Sequence, residues 1–263
     1  MTQICVENLC FSYDGTPLLE EVNFTVSEPG LVCILGPNGV GKTTLVKCMN
    51  RLLRPCSGTV AVDGQDVQQT PLIDLARRMA YVPNSMLSVF SMSVTDAVLL
   101  GRHPHSGWMT SDRDLVVTEN VMRTMELEAL ADRNIRELSA GQNQRVMIAR
   151  GLAQEPEILI LDEPTSSLDV RYQMETMAFL RSYASERGII TIVVCHDLNI
   201  TSAFADRIMM LSGGGVYADG PAGSVITEDN IREVYDVDSR VIDVEGRPHV
   251  ILLPRKSNRK EGF

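Results

Sequence analysis

The chain has 263 residues, of which 44% are hydrophobic, and a formal net charge of −10. This length allows a large α/β domain with a full core, and the acidic balance argues against a nucleic-acid partner, which needs a basic surface. No apolar run approaches the roughly 18 residues of a membrane span, and the start lacks a basic and then apolar leader, so we expect a soluble, unexported chain.

The N-terminal third is predicted to begin with short strands. Alternating apolar positions in QICVENLCF, then VNFTV and the continuous run LVCIL at 31–35, indicate these strands. A helix is expected from Lys42 to about Leu53, and GTVAVDG at 58–64 indicates another strand. From about Ile73, beginning with DLARRM, the apolar spacing becomes helical, and little of 85–155 is typical of a strand. We therefore predict an inserted helical subdomain over approximately 85–155.

Strand patterns return in the C-terminal half, at ILILD (158–162), IITIVVC (189–195) and RIMML (207–211), with helices at 170–187 and 197–205 between them. Buried runs of this kind, separated by helices, indicate a parallel sheet covered on both faces. A hairpin over 240–253, turning at Glu245 and Gly246, closes the chain. The prediction is a single domain over 1–263 with a mixed, mainly parallel sheet flanked by helices and an N-terminal antiparallel β subdomain.

The stretch GPNGVGKTT at 36–44 fits the phosphate-binding pattern G-x-x-x-x-G-K-[ST], in the strand-loop-helix context that the pattern requires. Backbone N–H groups of the loop and the helix N-terminus would hold phosphates. Lys42 would reach the β- and γ-phosphates, and the Thr43 hydroxyl would bind Mg²⁺. The predicted nucleotide-binding residues of this loop are Gly36, Asn38, Gly39, Gly41, Lys42, Thr43 and Thr44.

A second chemical motif is ILILDEP at 158–164, where an apolar strand ends in two acids. Asp162 would hold Mg²⁺ through water, and Glu163 would accept a proton from an attacking water. Together with the phosphate loop, this motif predicts a P-loop nucleotide triphosphatase.

Three further motifs carry a family resemblance. LSAGQ at 138–142 also has the pattern of a helix start, SSLD follows at 166–169, and His196 stands at the end of IITIVVC. In order and spacing, these motifs and the two phosphate motifs resemble the nucleotide-binding subunits of ABC transporters over essentially the whole chain. The resemblance implies ATP and Mg²⁺ as cofactors and a homodimer in which two copies pack head to tail.

The resemblance also implies roles for single residues. Ser139, Gly141 and Gln142, in the signature helix start, would contact the γ-phosphate held by the other copy. His196 would reach the γ-phosphate of its own subunit, and Asp169 would bridge the two subunits. Tyr13 would stack on adenine; the alternative is a half-buried strand tyrosine.

Two positions depart from the family pattern. Ala140 stands where the family usually has Gly, which is tolerable if the position is helical. Asn84, in YVPN, stands where the family has a Gln that contacts Mg²⁺ and the attacking water. Its side chain is shorter by about 1.3 Å, which would slow hydrolysis or draw the loop inward, unless the backbone compensates.

The segment 97–114 and the stretch that begins VCHDLNI resemble the branch of ABC ATPases for iron-chelate and cobalamin uptake. That resemblance implies an importer of ferric siderophores, haem or corrinoids at the cytoplasmic face of the membrane. Its partners would be integral-membrane permease subunits and, indirectly, an extracytoplasmic substrate-binding protein. The segment 85–94 would contact the permease or belong to the core of the helical subdomain, and a molybdate or tungstate importer stays open.

Two other classes of function remain: an ATP-gated dimerisation module with weak turnover, and a soluble ABC ATPase acting on ribosomes or DNA. The acidic single cassette argues against the second. His103 and His105 are expected at the surface, the six cysteines have no metal-ligand spacing, and the basic cluster Arg255 to Lys260 is expected to be a solvated tail.

Overall fold

Twelve strands and nine helices are present in the computed structural model, which describes residues 2–84, 91–106, 109–166 and 168–254. The strands are β1 (Ile4–Tyr13), β2 (Thr16–Val26), β3 (Gly30–Leu35), β4 (Ser57–Val62), β5 (Gln65–Asp66), β6 (Met79–Val82), β7 (Ile158–Asp162), β8 (Ile190–Val194), β9 (Arg207–Ser212), β10 (Gly215–Gly220), β11 (Ser239–Val244) and β12 (Arg247–Leu252). The helices are α1 (Lys42–Met49), α2 (Leu72–Arg78), α3 (Val94–Leu99), α4 (Asp112–Thr124), α5 (Ala140–Ala153), α6 (Val170–Arg187), α7 (Leu198–Phe204), α8 (Ala222–Val225) and α9 (Glu228–Tyr235).

The central sheet has the order β10-β9-β3-β8-β7-β6, and all its neighbours pair in parallel except the edge strand β10, which is antiparallel to β9. Its strands contribute alternate residues to two hydrophobic clusters, one on each face. Leu31 and Cys33 of β3 belong to one cluster, whereas Val32 and Ile34 belong to the other. The sheet is therefore buried on both sides, which is the predicted mainly parallel architecture.

One face of the central sheet packs against α1 and a four-stranded antiparallel sheet of order β2-β1-β4-β5. The other face packs against helices, and the inserted segment lies on this side, with α3, α4 and α5 contributing to the same cluster. Its described residues form helices, three short 3₁₀ turns and an isolated bridge between Ser93 and Asn134. The N-terminal antiparallel sheet and the helical insertion therefore confirm these parts of the predicted fold.

A buried ion network holds the parts of the inserted segment together. Arg102, only 1% exposed, donates to Asp114 Oδ1 at 3.0 Å, to the Ala153 carbonyl at 2.6 Å and to Glu155 Oε2 at 2.9 Å. Asp114 also forms the capping box of α4 with Ser111. This network joins the start of α4 to the end of α5.

Two local predictions need correction. Helix α1 ends at Met49 and not near Leu53, because Arg51 has a left-handed backbone (φ 56°) that interrupts the helix. Met79, predicted as helical, begins strand β6, since it pairs with Ile158 of β7. A four-residue strand between a helix and a loop carries too little periodicity to be recognised locally.

Two other predictions, the terminal hairpin and the exposure of two histidines, are confirmed. The terminal hairpin turns at Glu245 and Gly246, which both have positive φ, as a tight two-residue turn requires. His103 and His105 are exposed. The segment 85–94 lies largely outside the described residues, and the cluster Arg255 to Lys260 lies wholly outside them. None of the described helices combines the length and apolar character needed to cross a bilayer.

Candidate functional site

The phosphate loop joins β3 to α1 and is built by glycines in left-handed backbone. A Cβ at Gly36 (φ 149°) would lie 2.6 Å from the Leu211 carbonyl oxygen, and one at Gly41 (φ 106°) would lie 2.6 Å from the Leu19 side chain. Larger residues are therefore excluded at both positions. The turn opens directly into α1, whose first residue is Lys42.

Lys42 is held inside this loop. Its ammonium donates to the carbonyls of Gly36 at 2.7 Å and Pro37 at 3.0 Å. Burial lowers the pKa of Lys42, while the nearby carboxylates of Glu163 and Asp162 act in the opposite direction. The loop thus keeps a cation next to two acids, at the place where a phosphate chain would enter.

A cavity of about 150 Å³ lies over the loop. It contains residues of both predicted phosphate motifs, together with His196 and Leu18, and its lining is Leu18, Asn38, Gly39, Gly41, Lys42, Thr43, Thr44, Glu163 and His196. The structure therefore brings the loop, the strand-end acid and the histidine to one place.

The carboxylate of Asp162 lies at the end of β7, beside the loop. The Thr43 hydroxyl donates to its Oδ1 at 2.9 Å, and the Tyr81 hydroxyl donates to its Oδ2 at 3.2 Å. Burial raises the pKa of Asp162 above its ordinary value, although these two hydrogen bonds favour the ionised form. Hydroxyl and carboxylate oxygens are the ligands that Mg²⁺ prefers, so Thr43 and Asp162 fit a magnesium ion.

Glu163 is held by one partner on each carboxylate oxygen. Asn84 Nδ2 donates to Oε2 at 2.9 Å, and His196 Nε2 contacts Oε1. The Ser166 hydroxyl in turn donates to Asn84 Oδ1 at 2.9 Å. The shorter Asn84 side chain therefore reaches the acid in this structure, and the Glu163 carboxylate is held in a defined orientation at the edge of the cavity.

The signature segment begins helix α5 with a complete capping box. The Ser139 hydroxyl accepts from the N–H of Gln142 at 3.3 Å, and Gln142 Oε1 accepts from the N–H of Ser139 at 3.0 Å. Ala140 is the first helical residue, so its methyl group needs no left-handed backbone. Among the described residues, a Cβ at Gly141 would meet only Leu168 at 3.7 Å, so no described neighbour requires a glycine there.

Three groups of predicted residues neither line the cavity nor, among the described contacts, bond to the side chains that line it. Gly141 lines a separate groove of about 460 Å³ between α5 and α6, and Ser139 and Gln142 are in the same helix start. Asp169 caps α6 by accepting from the N–H of Tyr172 at 3.1 Å. Tyr13 is 50% exposed, lies edge-on to Phe11 and is not among the described residues that line the cavity.

Tyr81 and Ser166 were missed as site residues by sequence reasoning. Tyr81 belongs to strand β6, which has no clear local sequence signal. Ser166 lies in the motif SSLD, in which only Asp169 was predicted as a site residue. Both bond to predicted site residues that are about eighty positions away in the chain. Only the packing of β6 beside β7 brings these groups together.

Comparisons with known proteins agree with this arrangement. The family described as ABC transporter matches residues 19–166. An uncharacterized ABC transporter ATP-binding protein of Methanocaldococcus jannaschii is 42% identical over 250 residues, which are 95% of this chain and 98% of the relative.

Two further relatives have import functions in their names. A cobalamin import ATP-binding protein of Halobacterium salinarum is 37% identical over 222 residues, covering 84% of this chain and 56% of that protein. A hemin import ATP-binding protein of Rhodococcus jostii is 35% identical over 253 residues, covering 96% of this chain and 86% of the relative.

Solved structures with a similar fold are also ABC transporter chains. A chain of a metal-chelate type ABC transporter in an inward-facing conformation has a TM-score of 0.84 at 26% identity, covering 97% of this chain and 99% of that one. A dimeric bacterial ABC transporter cassette has a TM-score of 0.73 at 28% identity, covering 83% and 98%. The chain therefore belongs to the ABC transporter family and is one of its ATP-hydrolysing nucleotide-binding subunits.

Proposed function

We propose that this chain energises an importer of metal chelates of the ferric-siderophore, haem or cobalamin type. Two copies would work head to tail at the cytoplasmic face of the membrane, under permease subunits that receive cargo from an extracytoplasmic binding protein. The relatives named for cobalamin and hemin import, and the metal-chelate type transporter, support this choice of cargo class.

The observation that carries the catalytic proposal is the placement of Glu163. Its carboxylate lies at the cavity over the phosphate loop, with Asn84 on one oxygen and His196 on the other. A carboxylate so placed accepts a proton from the water that attacks the γ-phosphorus, while the bond from that phosphorus to the β,γ-bridging oxygen breaks. ADP and inorganic phosphate leave, and the proton stays on Glu163 until it returns to solvent.

Other residues in and around the cavity would bind and orient the nucleotide. Lys42 and the loop N–H groups would hold the phosphate chain, and Tyr13 would stack on the adenine. Thr43, Asp162 and Asn84 would hold Mg²⁺, which supplies charge neutralisation at the β- and γ-oxygens when bound. His196 would keep Glu163 and the γ-phosphate aligned.

The signature helix would complete the site in the other copy. Its N–H groups and dipole favour an anion, and the open surroundings of Gly141 leave room for close approach by a phosphate. Ser139 and Gln142 would contact the same γ-phosphate, and Asp169 would bridge the subunits. ATP would thus hold the dimer together, and its hydrolysis would release it.

The first test is steady-state ATP hydrolysis by the purified chain beside Glu163→Gln, with ATP-dependent dimerisation followed by gel filtration. Glu128→Gln is the matched control, because this exposed acid pairs only with Arg123 at the surface among the described residues. We expect the native chain and the control to turn over, and Glu163→Gln to form a stable dimer with ATP and hydrolyse none of it.

Asn84→Gln separates this proposal from a nucleotide-gated module. The motor role would be contradicted if the native chain dimerises with ATP but does not hydrolyse it, with or without permease, while the Asn84→Gln variant does hydrolyse it. Cargo is tested by uptake of a labelled ferric siderophore, haem, cobalamin and molybdate in cells with and without this chain. Loss of molybdate uptake alone would overturn the chelate assignment, and unchanged uptake of all four would overturn the importer role.

A further inference from the structure

The C-terminal hairpin of β11 and β12 is bonded to the helix that follows His196. The Val250 N–H donates to Asn199 Oδ1 at 2.7 Å, and Asn199 Nδ2 donates to the Val250 carbonyl at 3.1 Å. The side-chain amide of Asn199 therefore pairs with the backbone of β12 in the way that a neighbouring strand would. Both hydrogen-bonding groups of one side chain are committed to a single residue.

The same hairpin holds the rest of α7. The Ser202 hydroxyl donates to the Pro248 carbonyl, and Arg247 donates to the carbonyls of Ser202 at 2.9 Å and Ala205 at 2.8 Å. These carbonyls belong to the last turn of α7, where a cation is favourable. The helix is thus fixed to β12 near both of its ends.

The first turn of α7 links the position of the helix to that of His196. Asp197, the next residue, caps the helix by accepting from the N–H groups of Asn199 and Ile200, each at 2.8 Å. A shift of Asn199 therefore moves the cap and, with it, the backbone of His196. The ring of His196 contacts the carboxylate of Glu163.

Packing alone does not hold this turn in place. A cavity of about 260 Å³ lies between His196–Asn199 and the C-terminal segment, and its far side includes Ile231, Tyr235 and Val250. Since the described side chains leave the space behind the turn unfilled, the hydrogen bonds to β12 help to determine where it lies.

We propose that Asn199 is a positioning residue for His196, and that the β11–β12 hairpin is the fixed support from which it acts. The proposal rests on the proposed role of His196 in ATP hydrolysis. Loss of the Asn199 bonds would displace the His196 ring from Glu163. Because a misplacement of about 1 Å can cost about 10²-fold in rate, loss of these bonds lowers kcat. The affinity for ATP stays unchanged.

The test compares Asn199→Ala with Asn230→Ala in the full chain. Asn230 is a matched control, since it is also half-buried and its Nδ2 also donates to a backbone carbonyl, that of Val225 at 2.9 Å. We expect Asn199→Ala to lower kcat at least about tenfold with unchanged ATP affinity, and Asn230→Ala to leave both unchanged. Ser202→Ala removes only the hydroxyl that donates to the Pro248 carbonyl, so we expect a smaller fall in kcat in the same direction.

Two readouts distinguish positioning from general damage. In a His196→Ala background, followed by single-turnover hydrolysis of radiolabelled ATP, Asn199→Ala should cause no further loss. In the NMR spectrum, the His196 Cε1–H resonance, assigned by its absence in His196→Ala, should move in Asn199→Ala and stay in Asn230→Ala. The resonances of His103 and His105 on the insertion should not move.

An equal further loss in the His196→Ala background, or an unmoved His196 resonance with a reduced kcat, would overturn the proposal. An unchanged kcat in Asn199→Ala would overturn it as well. If His196→Ala itself hydrolyses ATP at the native rate, the proposed role of His196 fails, and the NMR shift alone then decides whether Asn199 positions the ring.

Discussion

Replacing Arg102 by Met should destabilise the protein strongly, because it leaves a buried carboxylate without its cation. Arg102 and Asp114 are 1% and 2% exposed, and the guanidinium also bonds to the Ala153 carbonyl and to Glu155. Removing one partner of a buried pair costs about 3–5 kcal/mol. For a chain of this size about 1 kcal/mol lowers Tm by roughly 2–4 °C, so we expect a fall of about 6–20 °C.

The assay is thermal unfolding followed by circular dichroism, with Arg113→Met as the matched control. Arg113 also pairs with Glu155, at 3.5 Å, but its side chain is 77% exposed. Exposed pairs contribute about 0–1 kcal/mol, so the control should melt close to the native temperature. Equal melting temperatures for the two variants would refute the assignment of stability to the buried network.

The pH dependence gives a second check of the same network. Burial disfavours the ionised form of Asp114, but hydrogen bonds from Ser111, Arg102 and Ser106 outweigh it and hold the pKa of Asp114 well below its ordinary value. A depressed carboxyl pKa stabilises the fold above the unfolded pKa near 3.9, and this stability is lost as the pH falls through the folded pKa. The Asp114 contribution to the unfolding free energy of the native chain should therefore be full at neutral pH and fall as the pH drops below about 4. Arg102→Met, in which Asp114 lacks the guanidinium, should lose less stability over the same pH range.

The remaining predictions concern the two helix starts. Lys42→Ala should weaken ATP binding by about 10- to 100-fold in calorimetry, since a charge-assisted hydrogen bond contributes about 1.5–3 kcal/mol; native affinity would contradict its phosphate contact. Ser139→Arg should retain ATP binding and block the ATP-dependent dimer in gel filtration, and a dimer in this variant would refute the two-copy site. Gly141→Ala should melt like the native chain because a Cβ there meets only Leu168 at 3.7 Å, yet lose hydrolysis. In Gly101→Ala a Cβ would lie 2.1 Å from a carbonyl of α5, so its melting temperature should fall.

Local hydrogen bonding explains which parts of the fold and site were predictable from the sequence. The phosphate loop, the capping box of Ser139 and Gln142 and the turn at Glu245 each close within a few residues. Their geometry therefore depends on residue types that stand side by side in the chain. The buried strands β3, β7, β8 and β9 were also predictable, because a parallel sheet covered on both faces requires continuous apolar runs.

Contacts between elements distant in the sequence were not predictable in the same way. Strand β6 has four residues, too few for a periodic signal, and its pairing with β7 brings Tyr81 to Asp162. The hydrogen bond from Asn84 to Glu163 joins residues 79 positions apart. The length of the Asn84 side chain alone does not predict whether this bond forms.

The chemistry of this protein was thus determined by the sequence alone: a phosphate loop, a strand-end acid pair, a histidine and a second helix start, each specified by short-range backbone geometry. Tertiary structure decided how these groups are held. The two partners of Glu163, the network of Arg102 and the support of α7 by the hairpin all arise where side chains from separate elements meet. A buried polar group must find a partner in the space that packing leaves to it, and that space exists only once the chain has folded.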